Sequence, residues 1–341
     1  MNQDWQNFLA QQGAQVHEGL VQHFGDARAE LQAARDGTVL CDLSQFGTLR
    51  AAGEEAQGFL QNLLSSDIQL VSPGQAQFSS FNSPKGRMMA SFVLWQSGGD
   101  YLLQLHGSLA AAMEKRLSMF VLRSKVKITD AGTEVISLGL SGSSARELIK
   151  AQFGSVPEAD WAMVQGERGN VIRLGAQRYQ INTSAQHAPA LWAAFAQGAR
   201  PAGSGCWDWL NVQGGLPVIT PPTQEQFVLQ MANLDALGGV SFKKGCYPGQ
   251  EVVARTQHLG KIKRRMFLAH VDSAAQAGDA VFSAEMAGQP SGMVINAAAA
   301  PGGGHDLLVV MQISSRETQS VHLQSLEGPV LNFMELPYTL P

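Results

Sequence analysis

The order of apolar and polar positions divides the chain into short elements of both periods. Residues 2–12 and 26–35 read as short helices flanking an apolar strand near Leu20–Phe24, and Val39–Leu43 and Thr48–Ala51 read as strands. Ala56, Phe59, Leu60, Leu63 and Leu64 then fall at i, i+3, i+4, i+7 and i+8, the stripe of an amphipathic helix. Gln75–Phe81 and Met88–Trp95 read as strands on either side of the loop FNSPKGR, and Tyr101–His106 as another. A helix over Ser108–Phe120 leads to a strand at Val126–Thr129. From residue 266 on the pattern is different. The short apolar runs Met266–Val271, Ala280–Phe282, Gly292–Ile295, Leu307–Ile313 and Ser320–Leu323 are separated by turn residues without a helical period. This predicts an antiparallel β domain, a small barrel or sandwich, with PGGGH (301–305) at a hairpin tip.

A weak internal repeat crosses the first part. Leu49, Gly53, Ala56, Phe59 and Leu60 recur in spacing as Leu138, Gly142, Ala145, Leu148 and Ile149. Each set reads as a strand, a glycine turn and a helix, which predicts two related α+β lobes meeting near residue 132. Any strand-to-helix unit tends to give one such match. The expected domains are 1–131, a first lobe with N-terminal helices; 132–255, a second lobe; and 256–341, the β domain, with approximate boundaries and room for interleaving.

Composition narrows the function classes. With 341 residues, 45% apolar and 15% charged, the chain can bury a substantial core. Residues 243–265 carry seven Lys/Arg against the single acid Glu251, so this segment is +6 and the rest must sum to −10 for a net −4. A basic segment in an acidic chain points to a local anion site rather than a nucleic-acid surface. No secretory pattern, no spanning apolar run and three widely separated cysteines predict a reducing, cytoplasmic setting with no membrane or DNA partner. No metal-ligand spacing, nucleotide-binding glycine loop or GxSxG elbow is present.

Of the cysteines, Cys41 in TVLCDL and Cys206 in GSGCWDWLN read as core residues. Cys246 lies in KKGCYPGQE. Lys243 and Lys244 place positive charge beside it, which favours thiolate. Gly245 and Gly249 permit positive φ, and Pro248-Gly249 signals a type II turn. These features make a functional thiol modestly favoured over a packed one.

The stretch ALGGVSFKKGCYPGQEVVART (236–256) resembles the signature of the YgfZ-type folate-binding proteins, relatives of the glycine-cleavage T-protein, a tetrahydrofolate-dependent aminomethyltransferase. Lys244, Gly245, Cys246, Tyr247, Gly249, Gln250 and Glu251 occupy its fixed positions. CDLSQFGTLRAAGEEAQGFLQNLLSSDI (41–68) resembles the family's opening strand and helix, FNSPKGRMMASF (81–92) its second loop, and WLNVQGGLPVIT (209–220) the strand and turn before the signature. The resemblance implies an α+β fold, a ring of two ferredoxin-like lobes and a C-terminal antiparallel β-barrel, with folate at its centre. Departures favour the YgfZ branch. Ala90 and Ser91 stand where the T-protein has acidic residues, and Gln213 where it has a folate-contacting Glu. The T-protein signature also lacks the cysteine.

The implied role is tetrahydrofolate-dependent support of iron–sulfur assembly or repair in client enzymes, including a radical-SAM enzyme that methylthiolates tRNA. Cys246 and Lys244 are the expected reactive residues, Cys246 as a transient iron ligand or persulfide carrier. Tyr247, Gln250, Glu251, Arg255, Trp207, Trp209, Gln213 and Phe81 are the expected folate contacts, with Lys261 and Lys263 as further cations for the glutamate tail. A folate-dependent aminomethyl transferase, with Asp67 or Glu251 as base, and a non-catalytic folate sensor stay open, as does whether any substrate is turned over.

Overall fold

The computed structural model describes residues 2–258, 262–318 and 320–341. Lys261 lies outside them. The chain forms two compact units, each assembled from separate segments: 1–56, 69–77 and 93–207 in the first, and 57–68, 78–92 and 208–341 in the second.

The first unit contains a six-stranded sheet in the order Met163–Gly166, Gly169–Gly175, Arg178–Ser184, Val135–Ser141, Val39–Asp42, Arg200–Ala202, antiparallel except for the last pair. Leu138, Leu140 and Ile181 project from it into a core with Trp5, Leu9, Ile149, Trp192 and Phe195. Those partners come from helices Gln3–Gln11, Ala145–Phe153 and Ala188–Phe195. Strands Asp100–His106, Phe46–Ala52 and Lys127–Asp130 extend beside Val93–Ser97 in a second antiparallel sheet with helix Gly107–Val121. The repeat in the sequence corresponds to one backbone device used twice. Strand Phe46–Ala52 and strand Val135–Ser141 each end on a glycine with positive φ, Gly53 at 123° and Gly142 at 129°, before a helix. A Cβ there would lie 2.1 Å from Lys125 O or Gly37 O, so only glycine lets the chain pass.

The second unit carries a six-stranded antiparallel sheet in the order His322–Leu323, Ala280–Phe282, Pro290–Ala299, His305–Gln312, Arg264–Val271, Asn332–Met334, curled into a half-barrel. Phe267, Ala269 and Val271 alternate into one core with Leu307, Val309 and Met311 from the paired strand. The hairpin tip at 301–305 is as expected, closed by Ala300 N–H to Gly304 O at 3.1 Å.

Two expectations fail locally. WLNVQGGLPVIT does not begin as a strand: Ser204–Gln213 is a helix followed by coil. Its apolar residues are too dense to display a period, and the decisive signal is Gly214-Gly215, where Gly215 at φ 62° stops the helix and Gly214 N–H reaches Leu210 O. The β domain also contains a short helix, Ile313–Thr318, whose polar sequence gave no apolar stripe. Among the described residues no helix is long and apolar enough to cross a membrane.

Candidate functional site

Two glycine turns of the second unit build the site. Tyr247–Gln250 closes with Gln250 N–H to Tyr247 O at 3.1 Å, and Gly249 has φ 79°, the third position of a type II turn. Gly245 does not use positive φ. The second turn, Ser83–Gly86, closes with Gly86 N–H to Ser83 O at 2.8 Å, and Gly86 has φ 71°. A Cβ on Gly249 would lie 2.5 Å from Gly86 Cα, and one on Gly86 would lie 2.9 Å from Val252 Cβ. The loop FNSPKGR and the KKGCYPGQE stretch are thus packed backbone on backbone.

Lys244, three residues before Tyr247, anchors the stretch that leads into the Tyr247–Gln250 turn. It is buried, and its ammonium donates to Leu64 O at 2.6 Å and Ser66 O at 2.8 Å. The same ammonium lies 5.3 Å from the centre of the Tyr247 ring. Burial pulls the Lys244 pKa down to about 8, partly countered by the charge of Asp67. Burial likewise raises the Tyr247 phenol above its ordinary value. With its neighbours on both sides held, Cys246 is exposed.

The carbonyls that hold Lys244 flank a buried hydroxyl network. Ser65 Oγ donates to Gly239 O at 2.6 Å and lies 3.0 Å from Ser80 Oγ. Ser80 Oγ donates to Asn82 Oδ1 at 3.1 Å, and Ser66 Oγ to Ser79 Oγ at 2.7 Å. Among the described residues Asn82 Nδ2, Ser83 Oγ and Gln230 Oε1 are buried without a partner. The first is an amide donor, the second a hydroxyl and the third an amide acceptor.

Comparison with known proteins gives this arrangement a lineage. Residues 7–244 match the model of the GCVT N-terminal domain. The chain belongs to that family. A Colwellia psychrerythraea protein called tRNA-modifying protein YgfZ is 35% identical over 234 residues, 67% of this chain and 71% of that one. An Enterobacter protein of the same name is 29% identical over 318 residues, 92% of this chain and 97% of that one. The crystal structure of glycine cleavage system aminomethyltransferase T from Bartonella henselae superposes with a TM-score of 0.77, covering 99% of this chain and 97% of that one. At 16% identity that likeness shows a shared fold. Together these make the chain a YgfZ-type relative within the GCVT family.

The remaining predicted residues of this GCVT-family chain are scattered more widely. Gln250 and Glu251 open helix Gln250–His258, Glu251 exposed and suitably placed for the positive helix end. Arg255 is exposed further along the same helix, Lys263 is exposed beyond it, and Phe81 is buried. Trp209 Nε1 and Gln213 Nε2 both donate to Asp306 Oδ2 at 2.7 Å, and His270 Nδ1 lies 2.7 Å from Asp306 Oδ1. Trp207 belongs to the first unit, where its ring fills the space a Cβ on Gly139 would need, and the Arg178 guanidinium lies 5.7 Å from the ring centre. Cys41 and Cys206 are buried, as their apolar surroundings predict. Within the basic segment 243–265, Arg265 is buried and donates to both carboxylate oxygens of Asp235 at 2.6 and 2.9 Å. Ala90 and Ser91 are also buried, and Ser91 Oγ donates to Pro217 O and accepts from Ile219 N–H. Sequence reading missed Ser65, Ser66, Ser79, Ser80, Asn82 and Gln230. The available signal was the pair of Ser-Ser steps inside apolar stretches, LLSSDI and FSSFNS. Among the described residues no group of three or more His, Cys, Asp or Glu could hold a metal ion.

Proposed function

We propose that this protein binds tetrahydrofolate and supports iron–sulfur assembly or repair in client enzymes that modify tRNA, including a radical-SAM methylthiolating enzyme. The observation that carries the proposal is an exposed thiol on a loop fixed by a buried lysine and two interlocked glycine turns. A rigid, accessible sulfur suits transient ligation of iron or persulfide exchange with a partner protein. A single thiolate does not retain a cluster, which normally takes about four ligands. The name carried by the relatives, tRNA-modifying protein YgfZ, supports the same role.

The unpartnered Asn82 amide, Ser83 hydroxyl and Gln230 carbonyl fit the alternating donors and acceptors of a pterin edge. Tetrahydrofolate supplies one-carbon carrying capacity when bound. The residues of this chain would bind and orient it, with Tyr247, Gln250, Glu251 and Arg255 beside them. Aminomethyl transfer is the weaker reading, because Ala90 and Ser91 offer no carboxylate and the Ser91 hydroxyl is spent on backbone. A non-catalytic folate sensor is the other alternative, and in it Cys246 would be dispensable.

Calorimetric titration of tetrahydrofolate into the purified protein tests the ligand. Saturable one-site binding is expected, and its absence from folded protein would remove folate from the proposal. Cys246→Ser should retain folate binding and fail to restore client iron–sulfur activity in cells lacking the protein. Full restoration would favour the sensor reading.

A further inference from the structure

Helix Gly107–Val121 buries Leu109, Met113 and Leu117 in the first unit, where it packs on strands Phe46–Ala52, Asp100–His106 and Lys127–Asp130. Its outer face carries two rows at i, i+4 spacing, Ala112, Arg116 and Phe120 beside Ala111, Lys115 and Met119, all exposed. The face thus ends on an apolar turn. Met119 is 67% exposed, Phe120 41%, and Leu122, just past the helix, 89%. Large apolar side chains clustered in solvent are informative where single ones are not. Phe120 and Leu122 border an open hollow of about 760 Å³, lined by Glu55 and residues 120–124, that the role above does not use.

Leu122 is held there at a cost. Its φ of 48° and ψ of −104° are close to those of the first central position of a type II′ turn, and Ser124 N–H closes that turn on Val121 O at 2.8 Å. Glycine dominates that position because a Cβ crowds the backbone. A leucine there gains little from the fold, since its side chain is almost wholly in solvent. Burial against a partner would offset both the strain and the exposure.

Charge selects the partner. Residues 114–127 carry five Lys/Arg against the single acid Glu114, so this segment is +4 and the rest must sum to −8 for a net −4. Lys125 is engaged: its ammonium meets Glu54 at 3.0 Å, and its backbone N–H donates to Glu55 Oε2 at 2.7 Å. Lys115, Arg116, Arg123 and Lys127 are exposed and, among the described residues, pair with no carboxylate. A second copy of this chain would set the same cations against one another. RNA would meet the cations with phosphate but leave Met119 and Leu122 uncovered, since aliphatic side chains give bases no ring to stack on. A bilayer deep enough to take Leu122 would also draw the Glu55 carboxylate of the same hollow toward lipid. A peptide segment with carboxylates and large apolar side chains satisfies both the charge and the exposed surface.

We propose that this helix end docks an acidic amphipathic segment of another protein. Apolar side chains of that segment cover Met119, Phe120 and Leu122, and its Asp and Glu residues pair with Lys115, Arg116, Arg123 and Lys127. Such docking is independent of the folate and thiol reading. The test selects a display library of random short peptides on the immobilised full-length protein, with Leu122→Gly as the counter-selection. Enriched peptides should combine Asp or Glu with large apolar residues. A synthetic peptide of the enriched sequence, titrated by fluorescence anisotropy, should bind Leu122→Gly at least about tenfold more weakly, a change of about 1.4 kcal/mol. Arg116→Glu and Arg123→Glu should each weaken it as well. Leu122→Gly should at the same time raise the thermal unfolding midpoint, because glycine suits the turn. A falling midpoint would mean that Leu122 serves the fold and would overturn the proposal. So would a selection that yields no peptide dependent on Leu122, enriched peptides without carboxylates, or charge reversals that leave binding unchanged. Phosphatidylglycerol vesicles and a tRNA transcript are run in parallel, and binding of either that Leu122→Gly abolishes would assign the surface to lipid or RNA instead.

Discussion

Cys246 and Lys244 are two residues apart and have opposite environments. The thiol faces solvent while Cys41 and Cys206 are buried. Ellman's reagent should therefore label one thiol rapidly in the folded protein, and Cys246→Ser should remove that phase while changing stability by less than about 0.5 kcal/mol. The buried ammonium sets a pH dependence. With the Lys244 pKa lowered to about 8 from 10.5, the unfolded chain keeps a proton between those values that the folded chain has lost. Stability should rise with pH across that window. Above pH 10 the buried phenols act in the other direction, since Tyr338 is pushed up to about 12 and Tyr247 also rises, so the folded chain keeps protons that the unfolded one loses. In urea midpoints measured from pH 7 to 10, Lys244→Met should flatten the rise. The exposure of Cys246 was legible because glycine and proline surround it. The destination of Lys244 was not, because its acceptors are backbone carbonyls about 180 positions away, which leave no mark of residue type.

Turns, helices and strands show the same division between local and distant causes. Gly249→Ala meets both a positive φ and the Gly86 backbone, and should cost about 1–3 kcal/mol in urea unfolding. The local turn signal predicted the φ, but only the fold reveals the second glycine against it. Helix Ser204–Gln213 was misread because a dense apolar run fits either period, and its tie to the barrel strand depends on Asp306, nearly a hundred residues on. Burial lowers the His270 pKa, but hydrogen bonds to Asp306 and Asp272 outweigh it and hold the value above the ordinary 6.5. That contribution to stability is complete below pH 6.5 and fades as pH climbs through the raised value. Asp306→Asn should bring the imidazole titration, followed by NMR, back toward 6.5 and destabilise the protein by about 1–3 kcal/mol.

At the scale of the molecule, the mixed α+β class and the antiparallel C-terminal sheet could be read from periodicity, because each strand buries residues in its own short pattern. The buried serines could not. A serine inside an apolar run looks like a break until Ser80 or Gly239 is brought to Ser65 by the fold. Ligand binding at that network should register globally: at a hundredfold excess over its dissociation constant, tetrahydrofolate should add about 2.7 kcal/mol to unfolding.

The interleaving of the two units also bears on how the protein is made. Residues 57–68 and 78–92 leave the ribosome early, but the rest of their unit begins at residue 208. At typical elongation rates the interval from residue 92 to the C-terminus is roughly ten to fifty seconds. Until Lys244 is made, the carbonyls of Leu64 and Ser66 have no ammonium to receive. A nascent chain in that state presents an unfinished second unit, and truncations that end before Lys244 would leave those two carbonyls without their donor permanently.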